Sequence, residues 1–155
     1  MKQDTPAGSL PADTVSAVQD ALAAEYTLIW VYGLCTAFIT GGADAARLNA
    51  GMTEHQARRD ATQRLLTGAG AVPQTAAPAY VVPQPVTNTT SAATALALAE
   101  SEATVAWRAV LEHTDDADLR KTALAALTDS AVRQTHWRRS SGQSPSSVAM
   151  PGLPG

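Results

Sequence analysis

At 155 residues the chain has room for one domain, and 45% hydrophobic content against 16% charged supplies enough apolar surface for a core, which excludes a disordered tail. A formal net charge of -3 offers no basic field to gather phosphates, so nucleic acid is excluded as the expected partner. The one cysteine, Cys35, excludes an intramolecular disulfide and a zinc site built from thiolates.

Met1-Lys2 is followed by polar residues and not by an apolar stretch, so no secretory signal is expected and the chain reads as cytoplasmic, with 1–12 as an N-terminal arm. Asp13 or Thr14 can cap a first helix, in which Val18, Leu22, Ile29 and Tyr32 keep helical spacing up to Gly41-Gly42. Its apolar run, 26–40, is too short to cross a bilayer, so no membrane partner is expected. Leu28, Trp30, Leu34 and Phe38 make this helix apolar beyond one stripe, which favours a homodimer through it.

A second helix is predicted from 43 to 68 or 70, with Leu48, Met52, His55, Arg59, Thr62 and Leu66 on one face. Residues 71–87 contain Pro73, Pro78, Pro83 and Pro85 and read as a loop, whose Tyr80, Val81 and Val82 are expected to cover part of the first helix. Asn88-Thr89-Thr90 fits a glycosylation acceptor, but without an export signal it reads as the cap of a third helix reaching His113. Asp115 or Asp116 can cap a fourth, ending near Arg139. That helix has two stripes: Ala126, Asp129, Arg133, His136, or Leu124, Leu127, Ala131, Gln134 with Trp137. The second is favoured, and only the first points His136 inward. Beyond it, 140–155 is a Ser/Pro/Gly-rich arm that either docks through Met150 and Leu153 or stays mobile.

Short links make the first and second helices, and the third and fourth, antiparallel neighbours. A helix of about 25 residues is roughly 38 Å long, and about 17 extended residues reach roughly 55 Å. The Pro-rich link can therefore travel the length of the bundle and leave helices two and three parallel. The expected fold is an all-α, ferritin-like four-helix bundle over 13–139 with one long crossover; a simple up-down bundle is the alternative.

Glu25 falls seven residues after Val18 and seven before Tyr32, on the face that should be apolar, and Glu100 likewise lies seven before Trp107. An unpaired carboxylate there costs several kcal/mol, so each needs a cation, a metal or a raised pKa.

With these residues in view the chain resembles the ferritin-like domain of actinobacterial proteins known as the DUF4439 family. The marks are Leu22-Ala-Ala-Glu25 with Tyr32, His55-Gln-Ala-Arg-Arg59-Asp60, Tyr80-Val-Val-Pro83, Ala99-Glu100 with Trp107, and Leu127-Thr-Asp129-Ser-Ala-Val with Trp137, spread over about Val15 to Arg139. The resemblance implies the bundle and no activity.

Ferritin-like di-iron proteins use a lone Glu on each of two helices and Glu-x-x-His on each of the other two. Glu25 and Glu100 match the lone glutamates and His55 and His136 the histidines, but Met52 and Arg133 stand where the bridging carboxylates belong. Arg59, four residues after His55, would repel a metal. The preferred reading is a non-catalytic scaffold or binding module, without cofactor. Its degenerate di-iron site is a buried cluster of Glu25, Tyr32, His55, Arg59, Glu100 and Arg133, in which arginine replaces metal, and its ligand is an unidentified protein or small molecule. This phase is wrong if Arg58 carries the interaction assigned to Arg59. The rival is a metal-binding protein or oxidase holding iron or another divalent ion with Glu25, His55, Glu100 and His136.

Overall fold

The computed structural model describes residues 9–154, so most of the expected N-terminal arm, 1–8, lies outside the described residues. Four helices carry the fold: α1 (Ala12–Cys35), α2 (Gly42–Gly68), α3 (Thr89–Glu112) and α4 (Ala117–Ser140). Two of them start where a side chain can satisfy free amides. Asn88 Oδ1 accepts from the Ser91 amide and Ser91 Oγ from the Asn88 amide, a full capping box. Asp116 Oδ1 accepts from the Leu119 amide at 2.7 Å.

α1 departs from expectation at both ends. It begins after Pro11 without a side-chain cap, and the Thr14 hydroxyl instead donates to the His113 carbonyl at the end of α3. It stops at Cys35, short of the glycine pair, because the chain turns to bury Ile39 and to offer the Phe38 carbonyl to Thr89; Gly41 and Gly42 begin α2 instead.

The crossover decides the topology. It leaves α2 beside the N-terminal half of α1, where Gln19 bonds the backbone of Val72 and Gln74. It passes Tyr26, which donates to the Gln74 carbonyl, and Trp30, whose ring lies 6.1 Å from that of Tyr80. It delivers α3 at the far end of α1, where Thr89 Oγ1 donates to the Phe38 carbonyl at 2.9 Å. α3 is therefore antiparallel to α1 and parallel to α2, which excludes the simple up-down bundle. Tyr80 covers Trp30 of α1 and Val82 packs against the core, whereas Val81 is 94% exposed and covers nothing.

α1 packs against α2 and α3, and α3 against α4, whereas α2 and α4 scarcely approach each other. Alanines 92, 93, 97, 99 and 103 face the core on α3 and bring its axis close to its neighbours. On α4 the buried stripe is Leu119, Ala123, Ala126, Ser130, Gln134 and Trp137. It mixes the two expected stripes and leaves His136 outside.

The C-terminal arm docks, but not through Met150 and Leu153, which are largely exposed. Pro145 O accepts from the Arg138 guanidinium, and Gly152 is buried at φ +91, where an added Cβ would lie 2.9 Å from the Thr104 carbonyl oxygen. Only glycine seats there. We predict that Gly152→Ala lifts the arm from α3 and increases amide exchange across 148–154 while the helices keep their protection; unchanged exchange would contradict the docking.

Candidate functional site

Glu25 on α1 and Glu100 on α3 are fully buried, and His55 on α2 stands between them. His55 Nδ1 lies 2.8 Å from Glu25 Oε2 and Nε2 lies 3.0 Å from Glu100 Oε1. A neutral ring has one N–H and would aim a lone pair at one carboxylate; the imidazolium donates to both. Burial alone pulls the ring down from 6.5, but the hydrogen bonds and charges of Glu100 and Glu25 outweigh it and raise the value to about 9.

Aromatic donors complete the shell. Trp107 Nε1 donates to Glu25 Oε1 at 2.8 Å, Tyr32 Oη to Glu100 Oε1 at 2.5 Å, and Trp137 Nε1 to Tyr32 Oη at 3.1 Å. Burial, followed by the charge and hydrogen bond of Glu100, raises the Tyr32 phenol well above its ordinary value, so it stays a donor. Its ring needs Gly51: a Cβ there would lie 2.6 Å from Tyr32 Cε1 and 2.8 Å from its oxygen.

The structure thus brings Glu25, Tyr32, His55 and Glu100 together, and it places Arg59 and Arg133 differently from expectation. Arg59 turns away from the centre and pairs with neighbouring Asp60 at 2.7 Å. The inward guanidinium belongs to Arg58, whose Nη1 lies 3.8 Å from Glu25 Oε1 and whose Nη2 bonds Asp129 on α4 at 2.9 Å. At 3.6 residues per turn, positions 58 and 59 straddle the stripe that His55 and Thr62 define, so periodicity alone does not separate them; Asp129 on the facing helix draws in Arg58. Arg133 pairs with Glu54 on α2, not with a central glutamate. His136 lies in a cleft between α2 and α4 beside Arg139, away from Glu25 and Glu100.

A repeat links these residues. Glu25 and Glu100, Tyr32 and Trp107, Glu54 and Asp129, His55 and Ser130, and Arg58 and Arg133 each stand 75 positions apart, so α1–α2 and α3–α4 present matched residues. Heptad spacing alone brings out only the first two pairs. The full spacing makes Ser130, not His136, the counterpart of His55, and sets Met52 against Leu127 where bridging carboxylates would stand. The outer pairs are reciprocal: α2 gives Glu54 to Arg133, and α4 gives Asp129 to Arg58. The second half lacks the imidazole, and Ser130 Oγ, Glu100 Oε2, Arg133 Nη1 and Arg58 Nη1 are buried without hydrogen-bond partners.

These residues do not fit a metal. Both His55 nitrogens are committed to carboxylates, leaving no lone pair to donate. Among the described residues no group of three or more His, Cys, Asp or Glu side chains is arranged to hold an ion.

A family model for a domain of unknown function, DUF4439, matches residues 17–155. The chain belongs to the DUF4439 family. The match takes in all of the buried centre. A solved structure described as a conserved hypothetical protein, rv2844, from Mycobacterium tuberculosis is similar to this DUF4439 domain at 34% identity and a TM-score of 0.80, covering 84% of this chain and 98% of that one. No functionally curated protein matches it.

Two predictions follow from the geometry. Because the His55 value is higher folded than unfolded, its stabilisation is whole below about 6.5 and is lost as pH rises toward about 9. The loss is on the order of 3 kcal/mol in denaturant midpoints, and His55→Gln should flatten that slope. Arg58→Met should cost about 2 kcal/mol, below the usual figure for a buried pair because the guanidinium is partly exposed. Arg59→Met should stay within about 0.5 kcal/mol; the reverse ranking in urea melts would restore the discarded phase.

Proposed function

We propose that this domain is a non-catalytic, ferritin-like scaffold or binding module whose degenerate di-iron centre is occupied by its own histidine. The topology supports the ferritin-like reading, since one long crossover joining parallel second and third helices is that fold's arrangement. The observation that carries the proposal is His55, with Nδ1 2.8 Å from Glu25 and Nε2 3.0 Å from Glu100. Its cation sits between the two carboxylates that match the lone glutamates of a di-iron site. With Arg58 beside Glu25, the two anions meet two cations. The buried charges thus balance without an ion from outside, and their effect is to lock helix register.

The rival metal reading needs His55 neutral with a free nitrogen, and a second histidine from α4. His136 is remote from the centre, and Ser130 occupies the matching position.

No helix among the described residues is long and apolar enough to cross a membrane. A homodimer through α1 is a separate proposal with narrowed support. Leu28 is buried and Trp30 lies against Tyr80, which leaves the half-buried Leu34 and Phe38, with Ile29 beside them, to form the contact. Sedimentation equilibrium should give twice the chain mass, and a monomer would end that proposal.

The main test is metal content. Protein purified from medium supplemented with iron and zinc should carry far less than one ion per chain. A stoichiometric ion that disappears in Glu25→Ala would overturn the reading.

A further inference from the structure

The 75-residue repeat pairs Thr62 on α2 with Trp137 on α4, two buried positions filled by very unequal side chains. The Trp137 ring lies 6.3 Å from that of Tyr32 at an interplanar angle of 78°, and its indole N–H donates to Tyr32 Oη. Trp107 is the counterpart of Tyr32, 75 positions on. Where α4 brings an indole to Tyr32, α2 therefore brings only a methyl and a hydroxyl toward Trp107. The difference in side-chain volume shows as a cavity of about 150 Å³ whose wall includes both Thr62 and Trp107.

All four helices wall this cavity. Val18 of α1, Trp107 of α3 and Leu119 of α4 are buried in its floor, while the exposed Ala61 and Thr122 mark its mouth at the α2–α4 seam. Both threonines spend their hydroxyl proton on their own helix, Thr62 on the Arg58 carbonyl at 2.8 Å and Thr122 on the Asp118 carbonyl at 3.0 Å. Of the described residues lining the cavity, Arg58 alone is charged, and Asp129, 2.9 Å from its Nη2, and Glu25, 3.8 Å from its Nη1, answer that charge. The wall thus offers no net field to an ion. Arg58 Nη1 is nevertheless buried without a hydrogen-bond partner, which leaves one donor unspent beside an apolar wall.

We propose that this cavity binds an uncharged molecule of one aromatic ring, whose ring packs on Trp107 as that of Trp137 packs on Tyr32 and whose single acceptor oxygen takes the Arg58 N–H. A cavity of about 150 Å³ with aliphatic and aromatic walls holds benzene, so the volume admits one ring and excludes two. An aromatic ring gains an edge or offset contact with the indole that an aliphatic body of the same size does not. This ligand class rests on the binding-module reading and deepens it. Metal content tests that reading and ring binding tests this one, so either can fail alone.

Two wall residues connect the cavity to the buried centre. Trp107 Nε1 donates to Glu25 Oε1 at 2.8 Å, and Arg58 stands beside the same oxygen. A ring on Trp107 is therefore reported by the indole N–H, while His55 keeps both of its nitrogens on carboxylates.

Phenol, benzene and benzoate are the probes, titrated separately at neutral pH into isotope-labelled protein and followed by NMR. Phenol should give saturable shifts at the Trp107 indole N–H, Val18 and Leu119. Benzene, which lacks the acceptor, should bind several-fold more weakly, and benzoate should not saturate. Thr62→Trp supplies the ring from the chain itself, as α4 does, and should weaken phenol binding about tenfold or more. Thr62→Leu fills the same space with a smaller group, keeps the test open if tryptophan disturbs the fold, and should also weaken binding. Thr128→Leu, on an exposed α4 position outside the cavity, should leave it unchanged. No saturation by phenol up to about 10 mM, benzene or benzoate bound as tightly as phenol, or undiminished binding by Thr62→Leu would overturn the proposal.

Discussion

Two carboxylates without solvent set the terms for the whole interior. Glu25 and Glu100 lie between helices packed tightly by alanine, where an uncompensated charge would cost several kcal/mol, a large part of a small domain's stability. One imidazolium answers both, and this constrains the neighbours. α2 must present His55 at one phase, Gly51 must lack a side chain so that Tyr32 can reach Glu100, and Trp107 must lie where its indole meets Glu25.

The two helical hairpins are matched in position but unequal in chemistry. His55 has Ser130 as its counterpart, and the unpartnered polar atoms Ser130 Oγ, Glu100 Oε2 and Arg133 Nη1 fall in the second half, with Arg58 Nη1 reaching in from the first. The halves are joined at the seam by the reciprocal pairs Glu54–Arg133 and Arg58–Asp129. The interior is closed and cross-bonded, while the seam above it is open and charged.

Much of this was legible in the residues. Helix capping at Asn88 and Asp116, the proline-rich crossover and the heptad positions of Glu25 and Glu100 are local or periodic signals, and the structure follows them closely. The identity of the inward arginine was not legible, because 58 and 59 straddle one stripe and the choice belongs to Asp129 on another helix. Nor was the early stop of α1 at Cys35, which depends on burying Ile39 and docking Thr89. Ser130 was not legible either, although it stands 75 residues after His55: a serine carries no signal until its partner is known to be a histidine.

The crossover also has a meaning in time. Synthesis delivers α1 and α2 first, and that hairpin already contains Glu25, His55 and Arg58, an anion with its cations. The later hairpin brings Glu100 with only Arg133 at the matching place, and Arg133 turns to Glu54 of the first hairpin. Synthesis therefore completes the hairpin that carries two cations for one central anion before the hairpin that brings the second anion. The long Pro-rich link lets the second half pass along the outside of α1 and carry Glu100 to His55.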